Sequence, residues 1–121
     1  MKLVLAIISP NQLSRVAQAL ADHHVHGLTV TEAQGFGQEH DRDHPEHREY
    51  AGLELIRKCR LEIACHDEEV EAVLEAIYKS THTGLRGDGK IFVLPVLDSL
   101  RLKTGERGEA ALGPRRKSGP R

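Results

Sequence analysis

TGLRGDGKIFVLPV, residues 83–96, packs three glycines, an aspartate and a lysine into eight positions and then runs directly into apolar residues. The segment on the far side of the glycines decides the architecture. Gly84, Gly87 and Gly89 admit backbone angles that other residues resist, and they let a ligand come close to main-chain N–H groups. Lys90 adds a positive donor suited to phosphate. A GxxxxGK[ST] phosphate loop must open a helix, and that spacing is absent. Here Ile91 to Val96 reads as a short strand instead. On pattern alone the loop is either a plain connecting turn or an anion cradle, with Asp88 turning the loop or bonding a sugar or base. Upstream, Val70, Val73, Leu74, Ile77 and Tyr78 recur at helical spacing. His66-Asp67-Glu68-Glu69 opens that helix, with Asp67 as its cap and acids in the first turn. Leu53 to Cys65 before it reads as a strand. The glycine loop therefore closes a strand–helix–strand unit.

The first third of the chain has the same order. Residues 2–8 are a near-continuous apolar run, as in a strand buried on both faces. Pro10 ends it and Asn11 is the expected helix cap. Leu13, Val16, Ala17 and Leu20 then mark one helical face. The helix should fade over His23 to His26, with Gly27 as its stop. LTVTEAQG (28–35) alternates and is rich in β-branched residues, which predicts a second strand. Two right-handed βαβ units joined by a long loop make an α+β, ferredoxin-like double βαβ sandwich, an antiparallel sheet with both helices on one face. The other face would be bare apolar sheet, which calls for an oligomer.

Other segments carry weaker signals. Gly35-Phe36-Gly37 is a bulge or hinge. Residues 38–52 have no hydrophobic periodicity and hold His40, His44 and His47. The first two are four apart, as metal ligands on one helical turn would be, but Pro45 works against a helix, and a solvated loop is the alternative. Loops of this length are functional or disordered. Leu100 to Lys103 reads as a short fifth strand with Arg101 and Lys103 on one side, able to meet an anion or simply solvated. Residues 114–121 have no apolar residue except proline and are expected to be disordered. The chain's 121 residues suit one domain with a modest core. A net charge of −1 gives no footprint for nucleic acid. No apolar run reaches the length of a membrane span. The N-terminus lacks a cleavage site and reads as a strand, so a cytoplasmic protein is expected. Cys59 and Cys65 share one face of a strand with Leu61 and Ile63. Six strand residues span about 20 Å, too far for a disulfide or a shared metal. No serine has the local signature of a nucleophile.

Taken together, TVTEAQGFG (29–37), TGLRGDGKIFVLPV (83–96) and RLKTGE (101–106) resemble the nitrogen regulatory protein P-II family. The similarity spans nearly all of residues 1–106, including LAIISP and the Lys58-to-Ile63 strand, and GDGKIFV is close to a family signature. The resemblance implies a ferredoxin-like homotrimer that binds ATP or ADP, with AMP as a further candidate, in clefts between subunits and is not an enzyme. It makes 38–52 the T-loop that docks on a target transporter or enzyme, 83–90 the B-loop that holds phosphates, and about 101–106 the C-loop whose basic side chains reach a neighbour's nucleotide. Residues 107–121 would be a flexible basic tail. The nucleotide site implied consists of Thr29, Gly35, Gly37, Gln38, Glu62, Ala64, Gly87, Asp88, Gly89, Lys90, Arg101 and Lys103, with Glu62 near the adenine. Lys58 matches the lysine that pairs with 2-oxoglutarate.

The departures from the family pattern cluster in the effector and docking parts. Glu39 stands where classical members carry the glutamine that binds Mg²⁺ and helps hold 2-oxoglutarate, and the glutamine here is Gln38. A carboxylate still ligates Mg²⁺ but repels an anionic effector. The T-loop keeps only the EY ending of the usual YRGAEY, in shifted register, which leaves Tyr50 as the counterpart of the uridylylated tyrosine. It contains no Ser or Thr, and Ser9 replaces a family lysine. These features imply a divergent P-II-like sensor of adenine nucleotides. A bicarbonate- or metal-responsive sensor and a slow phosphohydrolase are the alternatives.

Overall fold

The computed structural model describes residues 1–25, 27–36, 55–84 and 88–114. Among these residues four strands and two helices follow one another as β1 (Lys2–Ile8), α1 (Leu13–Asp22), β2 (Thr29–Gly35), β3 (Ile56–Cys65), α2 (Val70–Thr81) and β4 (Lys90–Pro95). The sheet order is β2-β3-β1-β4, and every paired neighbour is antiparallel. The two strands of each βαβ unit therefore lie one strand apart, with a strand of the other unit between them. This is the ferredoxin-like arrangement expected from the sequence.

Strand alternation sorts side chains onto two unlike faces. On one face Val4, Ala6 and Ile8 of β1 and Cys59, Leu61, Ile63 and Cys65 of β3 are buried. They meet Val16 and Leu20 of α1 and Val73, Ala76 and Ile77 of α2 in one core. Both cysteines are buried there and form no disulfide. On the other face Leu3, Leu5 and Ile7 are only half-buried. Their β4 partners Leu94 and Phe92 stand 39% and 51% exposed. The second face of the sheet has no covering layer among the described residues.

Element ends differ from the sequence expectations in instructive ways. The cap before α1 is Ser9, not Asn11. Pro10–Gln12 forms a 3₁₀ turn, and the Ser9 N–H donates to Gln12 Oε1 at 3.1 Å. Ser-Pro-Asn-Gln has the spacing of a capping box with proline at the first position. The stop after α1 is His24, not Gly27. His24 takes φ 63°, its N–H donates to Ala21 O at 2.9 Å, and the Val25 N–H donates to Leu20 O at 2.9 Å. That is a Schellman pair closed by a buried valine. At α2 the cap is His66, not Asp67. Its N–H donates to Glu69 Oε1 at 2.8 Å, and Asp67–Glu69 forms a 3₁₀ turn. Tyr78, expected in the core, is 57% exposed, because Ala76 takes the inward place and Tyr78 stacks on His82 instead. The expected strand at 100–103 is a turn, held by an isolated bridge between Leu100 and Arg107. Residues Gly108–Leu112, expected in a flexible tail, form a 3₁₀ turn that returns to the N-terminus.

Candidate functional site on the open sheet face

The glycine loop is set by the end of α2. Gln12 is buried and its Nε2 donates to Thr81 O at 3.1 Å, while Thr81 Oγ1 donates to Ile77 O at 2.8 Å. The first of these bonds satisfies a carbonyl that the helix end leaves unpaired. Together they fix where the loop departs.

From there Asp88 folds the loop back on itself. Its carboxylate accepts the N–H groups of Thr83 at 2.9 Å and Gly84 at 3.0 Å, together with the Thr83 hydroxyl. The Thr83 hydroxyl, the two N–H groups and nearby His82 hold the Asp88 carboxyl below the usual carboxylate range. Of the two roles open to Asp88 on sequence, loop formation is the one its contacts serve. Gly89 has a different task. Its φ is +102°, and a Cβ there would lie 2.0 Å from the carbonyl oxygen of Ile7. Only a glycine lets the loop cross β1 this closely before Lys90 enters the sheet opposite Ile7.

The register of the sheet collects several sequence-derived candidates on the open face. Thr29 of β2 pairs with Glu62 of β3, and Ala64 sits two residues further along the same face, opposite Leu3. Gly35 pairs with Ile56 and has open space above its Cα. Lys58 lies opposite Ala33 and is buried. Lys90, at the parity of Ile7, belongs to this face too. Arg60 Nε donates to Glu62 Oε1 at 3.2 Å, a pairing the sequence did not signal.

Arg101 and Lys103 do not share a strand. Both lie in the turn after β4. Arg101 Nε donates to Ala111 O at 3.2 Å, and its Nη1 lies 3.8 Å from Glu106. Gly37, Gln38, Glu39, His40, His44, His47, Tyr50 and Gly87 lie outside the described residues. Among the described residues no group of three His, Cys, Asp or Glu side chains is placed to hold a metal ion, and no helix is long and apolar enough to cross a membrane. A cavity of about 390 Å³ lies on the helix side of the loop, between Ile77, Thr81 and His82 of the α2 end and Gly89 to Ile91. It shares Lys90 with the open-face set but none of Thr29, Glu62 and Ala64.

The fold and the candidate site define a small ferredoxin-like α+β domain with one covered sheet face, one open face and a glycine–lysine loop at its edge. The comparison with known proteins is specific. The family model described as Nitrogen regulatory protein P-II matches residues 1–106. Similar proteins include the nitrogen regulatory protein P-II of Azospirillum brasilense, 43% identical over 93% of this chain and 100% of that protein. The P-II 2 protein of Methanothermobacter thermautotrophicus is 42% identical over 93% of this chain and 97% of its own length. Nitrogen regulatory protein GlnK of Escherichia coli is 40% identical over 93% and 100%. The chain belongs to the nitrogen regulatory protein P-II family.

Proposed function

We propose that this protein is a signalling subunit that binds an adenine nucleotide between copies of itself and passes its occupancy to a target transporter or enzyme through residues 38–52. The observation that carries the reading is that Thr29, Gly35, Glu62, Ala64 and Lys90 all fall on one uncovered sheet face. Thr29, Ala64 and the adjacent aliphatics offer a flat surface for a base, and Glu62 an acceptor for its amino group. Lys90 stands at the edge where phosphates would lie. Because Asp88 already takes the N–H groups of Thr83 and Gly84, the phosphate contacts fall to Gly87, Gly89 and Lys90. Arg101 and Lys103 of a neighbouring copy supply further positive charge. Nucleotide binding then biases 38–52 between two states, of which the target prefers one.

Titration calorimetry with ATP, ADP and AMP tests this directly. At least one should bind, and Lys90→Ala should weaken the best of them by roughly 10–100-fold, the loss of one charge-assisted phosphate contact. Absence of heat with all three nucleotides would end the reading. Unchanged affinity in the variant would remove Lys90 from the site.

A further inference from the structure

His66 is 2% exposed, and both of its ring nitrogens face oxygen acceptors. Nδ1 meets the Glu109 carboxylate, and Nε2 lies 2.9 Å from the carbonyl oxygen of Gly113. A neutral imidazole has one N–H and one lone pair, so in either tautomer it would set a lone pair against an oxygen. The imidazolium satisfies both contacts. Glu109 and Gly113 bracket the C-terminal 3₁₀ turn Gly108–Leu112, and within it the Ala111 carbonyl accepts Arg101 Nε at 3.2 Å.

We propose that Glu109–Gly113 is a proton-dependent latch: protonated His66 clamps it to the start of α2, and loss of that proton releases it together with its hold on Arg101. The hinge is Gly108, with φ 64°. Its N–H donates to Ser99 O at 2.9 Å and its carbonyl accepts Ser99 Oγ at 2.8 Å, contacts that involve no titrating group. The latch does not depend on what binds at the sheet.

The charges around His66 set the pH window. Glu69 faces it from its own turn, where its carboxylate accepts the His66 N–H. The Met1 α-ammonium lies 3.3 Å from Glu109 and 2.9 Å from Asp67, and Lys2 Nζ is 2.9 Å from Asp67. Burial pushes the His66 pKa down, but the Glu109 carboxylate, the Gly113 carbonyl and Glu69 outweigh it and leave it raised above 6.5. Contact with His66 and the Met1 ammonium, opposed by burial, lowers Glu109. A raised base holds its contribution below its unfolded value and loses it as pH rises through the folded one. A lowered acid loses its contribution as pH falls through its folded value. The latch is therefore closed in mild acid and opens toward alkaline pH as His66 deprotonates.

NMR on the intact protein without ligand tests this with two readings, the His66 ring titration and the exchange protection of two amides. The Gly113 N–H, bonded to Ala110 O at 3.2 Å, reports the latch, and the Gly108 N–H reports the hinge. Protection at Gly113, corrected for intrinsic exchange, should fall by about tenfold across the His66 titration, as expected for one charge-assisted bond. Gly108 should keep its protection. His66→Gln should abolish the step. If the step persists in that variant, the proton sits elsewhere, the Met1 amine being the nearest alternative, and the proposal fails. It fails also if His66 titrates below its ordinary value. Should His66→Gln not fold, Glu109→Gln on the surface decides. It should return the His66 titration toward ordinary and lower Gly113 protection throughout. No change in either reading overturns the latch.

Discussion

Gly84 and Gly89 look alike in the sequence, five residues apart in one loop, yet the structure gives them unequal burdens. Both have positive φ, at 78° and 102°. At Gly84 a Cβ would meet nothing within 4 Å, whereas at Gly89 it would meet the Ile7 carbonyl. Gly84→Ala should therefore cost about 1 kcal/mol, the backbone strain alone. Gly89→Ala adds a clash with backbone that cannot rotate aside, and should cost about 2–4 kcal/mol. Urea unfolding of both variants checks this. Equal midpoints would mean that the close approach to β1 is not rigid. The sequence showed that the loop needed bare backbone, but it could not say which glycine crosses a strand, because that contact joins residues more than eighty positions apart. Asp88 is similar. Its role was open on sequence, and only the fold reveals that its carboxylate faces the loop's own amides.

At the scale of elements, local periodicity carried most of the information. The alternation of β3 placed Cys59, Leu61, Ile63 and Cys65 together, and all four are buried. The i, i+3, i+4 pattern of α1 found Val16 and Leu20, both buried. Termini were less legible, although two carried a readable signal. Ser9-x-x-Gln12 and the Glu69 three residues after His66 both have capping-box spacing. The α1 stop had none, since histidine is not the residue that left-handed backbone favours. Because the glycine at 27 comes three residues too late, His24 takes the strained position of the Schellman pair. His24→Gly and His24→Ala both delete the imidazole but differ in the cost of φ 63°. The glycine variant should be the more stable of the two by about 1 kcal/mol in thermal or urea unfolding. Equal stabilities would mean that the α1 end relaxes out of the left-handed region when the side chain is removed.

For the whole molecule, the defining feature is the mismatch between the two sheet faces. The sequence foretold it, since two helices cover only one side of a sheet in which β1 and β4 are apolar on both. What it could not supply was the C-terminal return to His66 and Met1, which depends on pairings across almost the full chain. The open face carries Leu3, Leu5, Ile7, Phe92 and Leu94, and beyond it Leu97 and Leu102 stand 96% and 93% exposed. Apolar area of this kind is stabilised by association with further copies, and a closed ring of three would also bring one copy's Arg101 and Lys103 toward another's loop. Phe92→Glu puts a charge on that face, opposite Leu5. Sedimentation velocity at micromolar concentration should find three chains in the unaltered protein and single chains in the variant, with nucleotide binding lost alongside assembly. Tyr78→Glu is the control, because Tyr78 is as exposed as Phe92 but lies on the helical layer. It should leave the sedimenting mass unchanged. A monomeric unaltered protein, or a Phe92→Glu variant that still sediments as three chains, would detach the open face from assembly. Nucleotide binding by a monomeric variant would show instead that a single copy holds the whole site.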